Sequence, residues 1–233
     1  MKYTQYETEH EVRLVPRDPA VATVILLHGL GADGWDFVPI VAELELPDSL
    51  PLRFVFPHAP LRPVTINNGY EMRAWFDITD FSPEGRADAT GLAESSRRAA
   101  AYVDREIQAG IAASQVVLAG FSQGGAVALD AGLRYPQRLA GIVALSSYLP
   151  FAAALTAGRS AANAELPVLL CHGRADPVVP FSLGIESREA LRSMGCPVEW
   201  RDYPMQHQVC ADELTDVSGW LRARLVPLHG PAA

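Results

Sequence analysis

The chain has 233 residues, with 27 acidic against 19 basic side chains and a formal net charge of −8. A hydrophobic share of 49% and a charged share of 20% suit one large α/β domain over residues 1–233 and exclude a disordered or collagen-like chain. The acidic balance, without a long basic run, argues against nucleic acid as the main partner.

Cys171, Cys196 and Cys210 are odd in number and form no CxxC pair, so neither a disulfide framework nor a zinc site is indicated. Residues 1–16 lack the apolar core and small-residue cleavage signal of a secretory leader, and the expected location is cytoplasmic. The most apolar long stretch, residues 141–158, is interrupted by Ser146, Ser147 and Pro150. It fits a buried strand and a loop, and stable membrane insertion is not expected.

In chain order, residues 11–15 and 21–27 read as strands joined by a Pro-rich turn, the second being the continuous apolar run of a strand buried on both faces. It ends at His28-Gly29-Leu30-Gly31-Ala32-Asp33-Gly34, whose glycines let backbone N–H groups approach a ligand. Residues 35–44 carry a helical pattern with Phe37, Ile40, Val41 and Leu44 on one face, and 52–56 form the next strand. Residues 57–86 are rich in Pro, Gly, Asn and Asp and show no period, which makes a long irregular segment. Its aromatic residues Tyr70, Trp75, Phe76 and Phe81 call for burial. A long amphipathic helix over 88–111 leads to the run Val-Val-Leu-Ala from Val116, and a helix follows to about Tyr135. Strands at 140–145, 167–171 and 198–203, with helices at 181–194 and 212–225, complete the pattern. Strands alternating with helices predict an α/β fold, a mostly parallel central sheet flanked by helices on both faces.

The sharpest motif lies at the junction of strand and helix. Gly120-Phe121-Ser122-Gln123-Gly124 is a GxSxG pattern, in which a tight bend exposes a serine hydroxyl beside a helix N-terminus. The five letters are a modest signal alone, because a small residue in a βα turn explains them too. A serine nucleophile needs a base, and the base an orienting acid. In the α/β-hydrolase template these follow in the order acid then histidine, each beyond a strand end. His207 lies in the loop after the last strand. His229 sits in a Gly/Pro-rich tail, and no acid-bearing strand end separates His172 from Ser122. For the acid, Asp176 stands in the loop leaving the preceding strand, while Asp130, Asp212 and Asp216 fall on helices and Asp202 on a strand. The expected set is therefore Ser122, Asp176 and His207, although Asp176 before Pro177 also suits a plain turn. Oxyanion donors are expected at the backbone N–H of Gln123 and, from the His28 loop, of Leu30.

These landmarks resemble the carboxylesterase, phospholipase and acyl-protein thioesterase family of small serine hydrolases. The resemblance runs through LLHGLGADG, FPHAP, the segment from Gly69 to Asp77, GFSQGGAVAL, LSSYLP, CHGRADPVVP and the stretch from Met205 to Cys210. It implies the same Ser122, Asp176 and His207, the same oxyanion pair, and an acyl site lined by the irregular segment with Trp75 beside the chemistry. Family members often read Met-Pro-Ser-Trp where this chain reads Met72-Arg73-Ala74-Trp75. Trp75, Leu30, Tyr148, Leu149 and Val178 are acyl-pocket candidates, each of which also suits an ordinary core position.

The expected activity is cofactor-free serine esterase action on short to medium acyl esters, with a small-molecule ester or an acylated protein as substrate. Acyl-protein thioesterase or lysophospholipase action by the same residues is the alternative. A non-catalytic binding module on this fold and a metal-dependent hydrolase are weaker, the latter because no HExxH-type spacing occurs. Monomer and homodimer both fit the composition.

Overall fold

The structure, a computed structural model, describes residues 2–80 and 87–225. Its strands are β1 (Tyr3–Glu7), β2 (Glu11–Pro16), β3 (Ala22–Leu27), β4 (Leu52–Pro57), β5 (Leu61–Val64), β6 (Tyr70–Arg73), β7 (Val116–Phe121), β8 (Gly141–Leu145), β9 (Val168–Gly173) and β10 (Val198–Tyr203). Five α-helices accompany them: α1 (Ala89–Gln108), α2 (Gln123–Arg134), α3 (Ala152–Gly158), α4 (Phe181–Ser193) and α5 (Ala211–Arg224). Eight strands form one sheet in the order β1-β2-β4-β3-β7-β8-β9-β10, while β5 and β6 form a separate hairpin. β1, β2 and β4 pair antiparallel, and every other pair in the large sheet is parallel. This is the mostly parallel α/β sheet that the alternation of strands and helices predicts.

Successive side chains of a strand point to opposite faces, and the inner strands divide accordingly. Ile25, Leu27, Leu118, Ile142, Ala144 and Leu170 pack against α1, α2 and the end of α4, through Leu92, Val103, Leu129, Leu133 and Leu191. Val24, Leu26, Val117, Ala119, Val143 and Leu169 pack on the other face against Phe37, Val41 and, from α5, Leu214, Val217 and Leu221. Register then aligns the strand ends: Leu27 stands opposite Gly120, Phe121 opposite Leu145, and Tyr203 opposite Gly173. The loops leaving β3, β7, β9 and β10 therefore open on one edge of the sheet. Topology puts a site at that carboxyl edge.

α1 starts where Asp88 caps it, accepting from the N–H groups of Thr90 at 3.0 Å and Gly91 at 2.9 Å. Near its other end the buried Glu106 carboxylate meets Arg53 at 2.7 Å, Arg13 at 3.1 Å and the Thr23 hydroxyl at 2.9 Å, which ties α1 to β2, β3 and β4. Removing one partner of such a buried group costs about 3–5 kcal/mol.

Three sequence expectations need correction, and one strand carries no sequence signal. Residues 35–44 form no α-helix. They make successive turns and one 3-10 turn, Pro39–Ala42, because Pro39 lacks the N–H that a continuous helix requires. The predicted apolar side of this segment is nevertheless packed, with Phe37, Val41 and Leu44 all buried. The irregular segment contains the β5–β6 hairpin, and Tyr70 there is exposed rather than buried. The short helix α3 lies inside the stretch read as a strand and a loop. The mostly exposed edge strand β1 had no apolar alternation by which to be found. Phe81 and His229 lie outside the described residues. Among those described, no helix is long and apolar enough to cross a membrane.

Candidate active site

β7 ends at Phe121, and the chain turns into α2 within one residue. Ser122 has φ 52° and ψ −119°, a conformation that L side chains avoid and that the surrounding backbone must hold. Its N–H donates to Leu145 O of β8 at 2.9 Å, and the Ser147 hydroxyl donates to Ser122 O at 2.7 Å. The bend is tight enough to demand glycine on both sides. A Cβ on Gly120 would lie 2.3 Å from the Gly124 backbone, and one on Gly124 would lie 2.1 Å from Leu27 O.

Asp176 and His207 come together because the pairing of β9 with β10 continues past the strands. Arg174 N donates to Tyr203 O at 2.9 Å and Ala175 N to Met205 O at 3.1 Å. Gly173 permits this approach, since a Cβ there would meet Gln206 O at 2.4 Å. Asp176 Oδ2 lies 2.7 Å from His207 Nδ1, and His207 Nε2 lies 3.0 Å from Ser122 Oγ. Asp176 Oδ1 accepts from the N–H groups of Val178 at 2.8 Å and Val179 at 2.9 Å. Burial pushes the Asp176 carboxyl up, but the hydrogen bonds from His207, Val179 and Val178 outweigh it and hold it below the usual carboxylate range. An ionised Asp176 accepts only, so Nδ1 of His207 carries the proton and Nε2 is free to accept from the serine hydroxyl.

His172, set aside as a base, lies buried beneath this loop. Its Nε2 is 2.9 Å from Val179 O and 3.7 Å from Asp176 Oδ2, and burial lowers its pKa, so the ring is neutral and donates to the Val179 carbonyl. It thereby holds the turn whose N–H groups contact Asp176. Asp130 pairs with Arg134 at 2.9 Å within α2 and Asp202 with Arg174 at 3.0 Å, while His207 Nδ1 is taken by Asp176.

The loop after β3 is held by side chains rather than by a ladder. Ala59 N donates to His28 Nε2 at 3.0 Å, which leaves the proton on Nδ1, 2.7 Å from Gly29 O. Burial, only partly opposed by that carbonyl, draws the His28 pKa down to about 4. The Trp75 indole donates to His28 O at 2.8 Å, and Gly31 N, at φ 78°, donates to Arg73 O at 2.9 Å. The Gln123 side chain clamps the same segment, accepting from Trp75 N at 2.8 Å and donating to Phe76 O at 2.7 Å. This loop runs close to the serine: a Cβ on Gly29 would sit 3.6 Å from Ser122 Cβ. Among the described residues, no backbone acceptor takes the N–H of Leu30 or Gln123.

Ser122 and Gln123 border a cavity of about 140 Å³. Three expected pocket residues, Leu30, Tyr148 and Val178, line it, together with Ile66, Asn67, Ile78 and Val179, which sequence reasoning did not single out. Trp75 and Leu149 are not part of its wall. Trp75 is 1% exposed and its indole is spent on His28, while Leu149 packs on the core with its N–H on Ser187 Oγ at 2.7 Å. Among the described residues, no group of three or more His, Cys, Asp or Glu side chains is placed to hold a metal ion.

Residues 8–225 match the phospholipase/carboxylesterase family. The chain belongs to that family. It is 39% identical over 222 residues to acyl-protein thioesterase 1 of Neurospora crassa, covering 89% of this chain and 90% of the relative. Among solved structures it is similar to SOBER1 of Arabidopsis thaliana, with 32% identity, a TM-score of 0.83, and coverage of 88% of this chain and 99% of that one. Acyl-protein thioesterase 2 of Zea mays is similar at 30% identity and a TM-score of 0.82, covering 92% and 98%. As a member of the phospholipase/carboxylesterase family, this protein is a serine hydrolase of carboxylic esters.

Proposed function

We propose that Ser122, His207 and Asp176 are the nucleophile, the base and the orienting acid of an acyl-enzyme mechanism, with the Leu30 and Gln123 N–H groups as oxyanion donors. The observation that carries this reading is the continuous hydrogen-bonded line from Asp176 through His207 to Ser122, at 2.7 and 3.0 Å. Ser122 Oγ attacks the acyl carbon as its proton passes to His207 Nε2, and the carbonyl oxygen becomes the oxyanion. When the tetrahedral species collapses, the bond to the leaving group breaks and His207 gives that group the proton. Water then attacks the acyl-serine, losing its proton to His207, and Ser122 regains a proton as the carboxylic acid departs. Asp176 keeps the ring in one tautomer and stabilises its charged form throughout.

The substrate we propose is a carboxylic ester with a short to medium acyl chain, seated in the cavity bordered by Leu30, Ile66, Ile78, Tyr148 and Val178. A second reading, hydrolysis of thioesters on acylated proteins, is favoured by the names of the relatives with which the chain shares most of its length. Hydrolysis of p-nitrophenyl esters from acetyl to long chains, beside thioesters of the same acyl groups, decides between them. Turnover highest on short and medium oxygen esters and absent from Ser122→Ala supports the first reading; a preference for thioesters at equal chain length supports the second. Equal turnover by the unmodified protein and Ser122→Ala would contradict both.

A further inference from the structure

A second cavity, of about 240 Å³, lies between α1, the β1–β2 turn and the chain just after β4. Arg98, Tyr102 and Arg105 face it from α1 at the spacing that places side chains on one flank of a helix, and His10 and His58 close the other side. Trp75, 1% exposed, forms part of its wall.

The polar chemistry of this wall is mostly that of donors. Gly34 N donates to His58 Nδ1 at 2.9 Å, so in the neutral ring Nε2 carries the proton, and burial keeps the ring neutral by lowering its pKa. Arg105 is held by Glu11 at 2.6 and 2.8 Å and lies over the Tyr102 ring at 4.8 Å, which fixes its plane. The Tyr102 hydroxyl donates to His10 O at 3.1 Å, and His10 Nε2 lies 2.9 Å from Glu9. Arg98 has no hydrogen-bond or ion-pair partner among the described residues. An exposed Glu9 carboxylate lies against His10 and the buried Glu11 carboxylate against Arg105, but no carboxylate lines the cavity itself. In a chain of net charge −8, a concave site walled by two arginines and two histidines stands out.

Guanidinium groups and a fixed N–H converging from different elements suit a ligand with several acceptor oxygens and negative charge. We propose that this cavity binds a phosphate group, with Arg98 as its principal counter-charge. The group is either free, as inorganic phosphate or a small phosphomonoester, or the headgroup of an anionic phospholipid. The site shares no side chain with Ser122, Asp176 or His207, so it stands whether or not their proposed roles do.

Calorimetric titration of the full chain with inorganic phosphate and with glycerol 3-phosphate, against acetate at equal ionic strength, tests the free ligand. Co-sedimentation with phosphatidylcholine vesicles, with and without phosphatidic acid, tests the headgroup. Arg98→Glu should weaken binding by about tenfold or more while leaving basal ester turnover unchanged. Arg97→Glu removes a neighbouring exposed cation that does not line the cavity, and should change binding less than about twofold. Saturable, Arg98-dependent binding of the small phosphates assigns the free form; Arg98-dependent binding confined to phosphatidic acid vesicles assigns the headgroup. Absence of Arg98-dependent binding in every arm, equal loss in the two variants, or acetate binding as well as phosphate would overturn the proposal.

Discussion

Two sides of the site are built by different means. Ser122, Asp176 and His207 leave the ends of β7, β9 and β10, so the sheet register itself brings them together, and short loops complete the approach. Leu30 instead rides on a loop whose place depends on buried side chains that reach across the molecule. His28 holds Ala59, Trp75 holds His28, and Gln123 holds Trp75 and Phe76. Strand-end geometry persists as long as the sheet does, whereas loop geometry rests on a few individual hydrogen bonds. Loss of a reacting side chain on the first side should therefore abolish chemistry without moving the backbone, and damage to the second side should alter rate and stability together.

The largest effects are expected at the strand ends. Ser122→Ala and His207→Ala should each lower kcat/KM on the order of 10⁴-fold or more, and Asp176→Asn by about 10⁴-fold, with thermal unfolding little changed. Steady-state kinetics beside circular dichroism checks both halves of that expectation. Gly124→Ala breaks the same side by another route. Its Cβ, 2.1 Å from Leu27 O, should destabilise the fold by about 3 kcal/mol, read from the denaturation midpoint.

On the loop side, Trp75→Phe keeps the ring packing but removes the donor to His28 O. The stranded carbonyl should cost about 1–3 kcal/mol of stability. Displacement of the neighbouring Leu30 N–H should lower kcat by about tenfold with KM nearly constant. An unchanged kcat would mean that the loop keeps its place without the indole.

The most gradual effect is a pH dependence. His28 has its pKa lowered from 6.5 to about 4, so between those values the unfolded chain takes up a proton that the folded chain refuses. Acidification through that window therefore removes about 1.4 kcal/mol of stability per pH unit through this group. His28→Gln lacks the titration, and its stability deficit relative to the unmodified protein should narrow by that slope below pH 6.5. A deficit constant from pH 7 to pH 5 would contradict a neutral, buried His28.

Much of the first side was legible in the sequence, because its signals are local. An apolar run broken by GxSxG, and an acid and a histidine each just past a strand, need only periodicity and order. Gly173, whose missing Cβ lets the His207 loop approach, was also visible but carried no signal of that use. The second side was not legible, because its contacts join residues far apart in the chain: Ala59 to His28 across 31 positions, Trp75 to Gln123 across 48. Trp75 was singled out as a pocket wall, and a large aromatic next to the site reads the same way whether it faces substrate or pins a loop. Ile66 and Ile78 come from a stretch without period, and only the folding of that stretch over Ser122 brings them to the cavity. Residues 35–44 show the converse. The apolar spacing correctly marked the buried side, while Pro39 changed the backbone that presents it.

The most direct test of the account is labelling with a serine-directed fluorophosphonate, followed by peptide mass mapping at pH 7 for the unmodified protein and for His207→Ala. The account predicts one phosphonyl group per chain, carried on the peptide containing Ser122, and labelling slowed by several orders of magnitude in the variant. Label found on another serine, or formed at Ser122 equally fast without His207, would contradict it.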